Sequence, residues 1–579
     1  MKRLILLLLT FLPLALTAQE RDFRIMSFNM ERGDLGVPKG RGWDVRAVGA
    51  LAMLKHQNPD ILGVQECNSI QRDDILAAMP YKSIGVAVSG AADDYPKTSG
   101  NNIFYKPSVF ELLESGQFWY AFEPGAVGTF TWYAQKPRSA TWGRFRHKAS
   151  GREFVYINNH TQNGVDAVIN RTMSFMELLS KMREINPEGL PMLYSGDLNS
   201  SGKEYYYTPL RQEMKEAVKE CPITDKGITF GGYKRKDGDG NQIDHIFFSG
   251  ALEGLRFGVD RDSYEGVDHV SDHFPIYADF RFTSTAPERG EYWFDLKPGE
   301  SDMNVTAGTW NLFSTAEREE RGAPAWKEVK GDVGRIIGSL GADILGFQEL
   351  TEPMVRDLSK LVKASCGKKF KLWTGYSDPS PDNPSREAVA LLYNSERFAV
   401  SRQRQVWIGP KDMFTPQKPW GDQYRSLLTA VFKDKASGRQ FFVMTGKLCR
   451  GENPVKNEGR FIKQMEKELN PEGFPCLLLV DMNCGPKNQV WISLLNFWSD
   501  TYSLMYPFPD TVFSTRTAKE QYEGNSPKDW NSKTDLVCIN KYVENKIIVT
   551  GHKVHREAVR SCAQFPSDHY PVTATLVFK

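Results

Sequence analysis

Apolar residues along the 579-residue chain fall into short runs of period two and longer runs of helical spacing, and many of these runs stop at a polar residue. FRIMSFNMERGD alternates into an apolar strand and delivers Asn29 at its end. Val45, Val48, Leu51 and Leu54 recur at helical spacing between Trp43 and Gln57, and Pro59 stops that helix. DILGVQE reads as a buried strand ending on Glu66. NNIFY follows, then a loop-rich aromatic segment from Phe118 to Trp142 that contains Arg138, then the strand EFVYINNH ending on His160. A helix near Arg171 to Met182 leads into NPEGLPMLYSGDLNS, where Asn-Pro closes the helical run and an apolar strand stops at Asp197 and Asn199. ITFGGYKRKDGDGNQIDHIFFS presents Asp244 at the start of a strand, and VSDHFPIYADF places Asp272 and His273 before a closing strand.

Periodicity lapses from Ser284 to Asp302 in a stretch rich in Pro, Gly and charge, and then the whole order repeats. VTAGTWNLF carries Asn311, ADILGFQE carries Glu349, and VALLY answers NNIFY. Arg425 answers Arg138, and RQFFVMTGK answers REFVYINNH with Lys447 in the place of His160. VDMN carries Asp481 and Asn483, TDLVCIN carries Asp535, and SDHYPV carries Asp568 and His569. The offset between matching positions begins at 282 and drifts to 296. Such a duplication predicts two domains of one fold, residues 19–283 and 303–579 joined by a linker at 284–302. Strands alternating with helices, yet closing in hairpin-like succession, predict two mixed sheets packed face to face with helices outside.

Composition adds bounds rather than chemistry. A formal net charge of +2 gives no sign of a general polyanion binder. Lys2 and Arg3 precede an apolar run from Leu4 to Leu16, with small residues at Thr17 and Ala18, the layout of a signal peptide over residues 1–18. Export to a periplasm or the exterior is expected, with no transmembrane helix and no obligate protein partner. Eight cysteines are too few for a disulfide scaffold in so long a chain, and disulfides and buried free thiols both remain open.

The first repeat therefore offers Asn29, Glu66, His160, Asp197, Asn199, Asp244, Asp272 and His273, nearly all at strand ends. If those ends converge, several carboxylates and two imidazoles share one cleft. Crowded carboxylates normally hold a cation, and all-oxygen ligands favour Mg²⁺ or Mn²⁺. Such an ion suits phosphate oxygens, and an imidazole oriented by the Asp before it suits removal of a proton from water. An Asp-x-Asn pair alone equally starts a turn.

Six blocks in order, MSFNM, DILGVQE, INNH, GDLN, IDHIF and SDHFP, resemble the endonuclease/exonuclease/phosphatase superfamily. The resemblance implies tandem four-layer α/β/β/α sandwiches and a metal-dependent phosphoric-ester hydrolase. It implies that Glu66 is the principal Mg²⁺ ligand, with Asn29 and Asp272 beside it. Asp197 and Asn199 would position water and phosphate, and His160 would bind the phosphate and stabilise the transition state. Asp244 would orient or assist, and His273 would be the general base, paired with a carboxylate. Arg138 is a candidate phosphate contact, set against a plain surface or sheet-edge role. Expected substrates are nucleic acid, phospholipid head groups or small phosphate esters. The rival is a metal-binding recognition or scaffold protein without turnover.

In the second repeat Asn311, Glu349, Asp481, Asn483, Asp535, Asp568 and His569 keep the pattern, and Lys447 departs from it. A lysine, with an ordinary pKa of about 10.4, stabilises charge but does not shuttle protons near neutral pH. Turnover, phosphate binding without turnover and a structural role all stay open for this repeat. His245 and His269 are expected to pack or support the site. Phe130, Trp132, Tyr133 and Trp142 are expected to fill space beneath a loop, and Lys234, Arg235 and Lys236 to be solvated.

Overall fold

The computed structural model describes residues 21–90, 98–132, 134–164, 167–234, 241–287, 290–367, 369–418, 423–448, 455–486, 488–506, 508, 514–516 and 532–579. The expected signal peptide, Tyr133, Arg235, Lys236 and Cys449 lie outside the described residues.

Among the described residues four sheets form, two from each half of the chain. One sheet of the first half runs, neighbour by neighbour, through Ile223–Thr224, Leu252–Val259, Ile276–Phe282, Phe23–Asn29, Ile61–Gln65, Ile103–Tyr105 and Lys82–Ile84. The other runs through Phe110–Trp119, Ser139–His147, Glu153–His160, Met192–Asp197, Asp244–Ser249 and Lys215–Glu216. Each contains a central parallel pair, Phe23–Asn29 with Ile61–Gln65 and Glu153–His160 with Met192–Asp197. A parallel pair needs a crossover, and the helices Trp43–Gln57 and Val168–Ile185 supply it. Both pairs thus send the carboxyl ends of their strands toward one mouth.

Alternation sorts the strand residues between layers. Phe23 and Ile25 point inward to meet Phe154, Tyr156, Leu193 and Ile246 of the facing sheet. Met26, Phe28, Leu62 and Val64 point outward onto Ala50, Met53, Leu54 and Ile75 of the covering helices. The second half repeats the plan, with sheets centred on Met303–Asn311 beside Ile344–Leu350 and on Gln440–Lys447 beside Cys476–Asp481. The fold is two tandem four-layer α/β/β/α sandwiches.

Two expectations change. The helix Trp43–Gln57 forms as its spacing predicts, but Val45 and Val48 are exposed while Arg46, Gly49, Ala50 and Met53 are buried. The loop at Tyr264–Val267 presses on the bare α-carbon of Gly49, where a Cβ would meet Val267 Cβ at 2.6 Å. Secondly, the helix Val168–Ile185 is not outside. Its residues Val168 to Leu179 are all buried, because one core joins this helix and the sheet beneath it to Leu427, Met444, Leu478, Trp491 and Leu494 of the second half. Trp132 also crosses over, with its ring 4.8 Å from that of Phe508 rather than merely under a loop. The stretch between the repeats packs against the second. Trp293 is buried, donates from Nε1 to Ile547 O at 2.5 Å, and packs on Tyr542 at 4.8 Å.

Among the described residues no helix is long and apolar enough to cross a membrane. The seven described cysteines are free thiols.

Candidate active site

Register brings the polar strand ends of the first repeat together. His160 lies opposite Asp197 across the parallel pair, and Asp244 lies opposite Asp197 on its other side. Asn29 lies opposite Gln65 in the facing sheet, so Glu66 follows one residue beyond. The sheets approach each other below this mouth because Gly63 has no side chain; a Cβ there would meet Asn158 at 2.8 Å. Gln65 Nε2 donates to Asn158 Oδ1 at 2.7 Å and Asn158 Nδ2 donates to Val64 O at 2.8 Å, pinning the two sheets.

Asp197 is the joint. Its Oδ2 accepts from Asn29 Nδ2 at 2.9 Å and lies 3.3 Å from His160 Nε2 and 3.7 Å from His273 Nε2. Its Oδ1 accepts from the backbone N–H of Asn199 at 2.8 Å, and Asn199 Nδ2 stands 3.0 Å from His160 Nε2. Burial opposes its charge, yet His273 and His160 hold its carboxyl well below the usual carboxylate range.

Asp244 Oδ2 meets His273 Nδ1 at 2.9 Å, while Thr229 Oγ1 accepts from the Asp244 N–H at 3.1 Å. The expectation that the preceding Asp orients His273 is corrected: Asp244 does so from across the sheet. Burial disfavours the imidazolium, but Asp244, Asp197 and Asp272 overcome it and push His273 up to about 10.

Asn29, Glu66 and Asp272 form the adjoining knot. Ser271 Oγ donates to Asn29 O at 2.7 Å and lies 3.2 Å from Asp272 Oδ1. Consecutive amides tie the other two: the N–H of Glu31 donates to Asn29 Oδ1 at 3.1 Å, and that of Arg32 to Glu66 Oε2 at 3.3 Å. Glu66 and Asn199 both hold left-handed backbone, at φ +58° and +47°, an uncommon conformation for side-chain-bearing residues that concentrates at functional sites. After Glu66 a capping box between Asn68 and Gln71 starts the next helix and fixes the turn. Burial, with Glu31 and Glu66 adding repulsion, pushes the Asp272 carboxyl up to about 6. Burial also works against the Glu66 charge, but His160, Arg138, Lys136 and His273 hold its carboxyl below the ordinary range.

The donor set fits a hard divalent cation. Asp197, Asp244 and His273 bring ligand atoms within 4.8 Å of one another, but Asp244 and His273 are spent on each other. The acids left over are Glu66 and Asp272, with Asn29 beside them, and their mutual repulsion is what a cation relieves.

Arg138 belongs to the mouth rather than to a sheet edge. It is buried, donates from Nη2 to Asn163 Oδ1 at 3.2 Å, and feels both Glu66 and Asp197. Its Nε has no hydrogen-bond partner. Arg171, on the helix shared with the second repeat, grips Gln162 O at 2.9 Å and Gly164 O at 2.8 Å, on either side of Asn163.

Three residues of the mouth are not announced by the sequence pattern. Lys136 is exposed at the rim, and feels the repulsion of Arg138 and the attraction of Glu66. Glu31 faces Asp272, pairs with Arg46 at 3.7 Å and accepts from the Tyr233 hydroxyl. Phe230, half exposed, sets its ring 4.9 Å from that of His273. Glu31 and Lys136 each lie two positions from a candidate residue, Asn29 and Arg138, and that proximity is the one signal the chain offers. His245 supports the strand as expected, between Glu216 Oε1 at 2.8 Å and Ser200 O at 2.9 Å. His269 packs between Tyr233 and Phe274, and Lys234 is exposed.

The second repeat reproduces the register, with Lys447 opposite Asp481 and Asp535 opposite Asp481. Asn311 Nδ2 donates to Asp481 Oδ2 and to Glu349 Oε1, both at 2.8 Å, and His569 Nδ1 meets Asp535 Oδ2 at 2.8 Å. Glu349 and Asn483 repeat the left-handed backbone at φ +57° and +53°.

Paired sheets that present acids and imidazoles at the ends of their strands, with helices over the outer faces, make up a hydrolase fold of the α/β/β/α sandwich class. Residues 26–273 match the model of the Endonuclease/Exonuclease/phosphatase family. Similar solved structures include a mannosyl-6-phosphatase of Bacteroides thetaiotaomicron VPI-5482, 28% identical over 45% of this chain and 100% of that one, with a TM-score of 0.41. An endonuclease/exonuclease/phosphatase from Bacteroides vulgatus is 28% identical over 45% of this chain and 98% of its own, with a TM-score of 0.41. The catalytic domain of human Nocturnin is 20% identical over 46% of this chain and 96% of that one, with a TM-score of 0.37. A search of curated proteins found no match.

Proposed function

We propose that the chain is an exported phosphoric-ester hydrolase, dependent on Mg²⁺ or Mn²⁺, whose first repeat (19–283) is catalytic and is joined through 284–302 to the second (303–579). The observation that carries this reading is Asp197, whose one carboxylate meets Asn29 and faces both His160 and His273 beside the repelling acids Glu66 and Asp272. Export rests on the basic, apolar and small-residue order of the first eighteen positions.

Asp197 and Asn199 position the attacking water, whose oxygen forms a bond to phosphorus as its proton passes to Nε2 of His273. Asp244 holds the imidazolium that results, through the 2.9 Å contact at Nδ1. His160 and Arg138 donate to the phosphoryl oxygens as charge builds there. The opposite phosphorus–oxygen bond breaks, its electron pair leaves with the ester oxygen, and that oxygen takes up a proton from solvent. Glu66 and Asp272 would hold a divalent cation, which would supply neutralisation of the phosphoryl and leaving oxygens and would offset part of the acid field that raises His273.

The deciding experiment is hydrolysis of a generic phosphodiester, DNA, RNA, sphingomyelin-like lipid and inositol phosphates, with Mg²⁺ or Mn²⁺ and with chelator. Alanine at His160, Asp197 or His273 is expected to abolish turnover; full activity in any of the three removes the assignment. A chelator that lowers the melting temperature, while no ester is cleaved, supports a scaffold instead.

A further inference from the structure

The two mouths can be compared position by position, because the same hydrogen bonds recur in both. Thr229 Oγ1 accepts from the N–H groups of Ile243 and Asp244, and Thr515 Oγ1 accepts from those of Thr534 and Asp535. The next residues, Phe230 and Arg516, each bridge to the histidine, Phe230 to His273 and Arg516 to His569. Likewise the N–H of Glu31 donates to Asn29 Oδ1 at 3.1 Å, and that of Phe313 donates to Asn311 Oδ1 at 2.9 Å, both residues in left-handed backbone. Phe313 therefore stands where the first repeat has Glu31, Arg516 where it has Phe230, and Lys447 where it has His160.

These exchanges all act in one direction. The Lys447 ammonium does not reach across to Asp481, as His160 does to Asp197; it forms a buried ion pair with Glu349, the counterpart of Glu66. Glu387 lies 4.0 Å from the same ammonium. Arg516 Nη2 donates to Asp568 Oδ2, the counterpart of Asp272, at 2.8 Å, and Arg321 Nη1 adds a contact to that oxygen at 3.3 Å. Where the first repeat sets Glu31 and Glu66 against Asp272, the second places a fixed cation on Glu349 and another on Asp568, with Glu317 and Glu387 near the Lys447–Glu349 pair. A divalent ion entering there must displace the ammonium and guanidinium already paired with those carboxylates, and a buried cation parted from its partner is costly. The residues of this mouth do not fit the ion that those of the first mouth fit.

We propose that the second repeat is a metal-free copy of the site, in which Lys447 on Glu349 and Arg516 on Asp568 take the electrostatic place of the divalent cation. Of the three roles left open for this repeat, turnover by the mechanism of the first is thereby removed. The proposal rests on the reading of the first mouth as a cation site, and its test separates the two.

Mn²⁺ bound per full-length chain is counted by electron paramagnetic resonance of the free ion, in four proteins. The wild type is expected to bind one Mn²⁺, and Glu66→Gln to lose it. Lys447→His/Arg516→Phe, which installs the first repeat's residues, is expected to bind one more Mn²⁺ than the wild type, and Glu349→Gln added to that pair removes the extra ion. A pair variant that folds and gains no Mn²⁺ overturns the proposal. Should the pair variant not fold, Glu349→Gln in the wild-type background decides: an unchanged count supports the proposal, and a lost ion overturns it. A wild type that binds no Mn²⁺ instead sinks the reading of the first mouth, while the gain in the pair variant still decides the second.

Discussion

Asp244, and not the Asp272 that precedes it in the chain, holds His273 at Nδ1, 2.9 Å away. The two acids flank one imidazole yet belong to different parts of the site. Asp244 sits opposite Asp197 in one sheet, and Asp272 is tied through Ser271 to Asn29 of the other. Asp244→Asn is therefore expected to lower kcat by about 10²- to 10⁴-fold with Mn²⁺ half-saturation unchanged. Asp272→Asn is expected to raise the Mn²⁺ concentration needed. Steady-state kinetics across a metal titration checks this, and an equal shift of metal dependence in both variants contradicts the division.

Arg138 is buried beside Glu66 and Asp197 with its Nε unpartnered. Arg138→Met is expected to lower kcat/KM for a phosphodiester by about 10²- to 10³-fold. Arg138→Lys should recover little of it, because an ammonium lacks the planar fork of the guanidinium. Wild-type kinetics in Arg138→Met would remove Arg138 from the site.

Glu177, on the helix enclosed between the repeats, is fully buried, and neither carboxylate oxygen makes a hydrogen bond of normal geometry. Burial raises its carboxyl well above the ordinary value. An acid raised in the folded state costs stability above its unfolded pKa of about 4.3, increasingly so until pH reaches the folded value. Glu177→Gln should then melt higher than the wild type at pH 7, by about 2–4 °C for each 1 kcal/mol gained in a unit of this size. The two proteins should converge below about pH 4, near the unfolded pKa. Calorimetry over that range decides, and a Glu177→Gln protein less stable at pH 7 refutes it.

Glu216 has the opposite sign. Burial opposes its charge, yet His245 and Lys219 bring its carboxyl down to about 2. That stability is present above the unfolded pKa of about 4.3 and is lost as pH falls toward the folded value. Glu216→Gln is expected to cost on the order of 2–3 kcal/mol at pH 7, at 1.36 kcal/mol per unit of displacement. The loss should vanish near the folded value, and denaturant melts at the two ends of the range measure it. A pH-independent deficit would assign the effect to packing instead.

Much of the site is legible in the chain because its residues terminate apolar runs. Asn29, His160 and Asp197 end strands, Glu66 follows one and Asp244 begins another. A polar residue where period-two alternation stops announces its own place. The enclosure of the helix Val168–Ile185 is less legible, since Asn170, Ser174, Glu177, Lys181 and Glu184 give it the polar stripe of an outer helix. The exposed Val45 and Val48 are not legible, because Gly49 contributes nothing to a hydrophobic pattern yet admits the loop that decides which face is covered.

By itself the sequence determined the strands and their polar ends, the two copies and the order of their parts, because alternation and turn chemistry act over a few residues. Only the tertiary structure decided the pairings: Asp244 on His273, Lys447 on Glu349, Arg516 on Asp568. Those depend on ångström distances between strands and sheets brought together from distant stretches of chain, and a charge pair forms with whichever partner the packing leaves within reach.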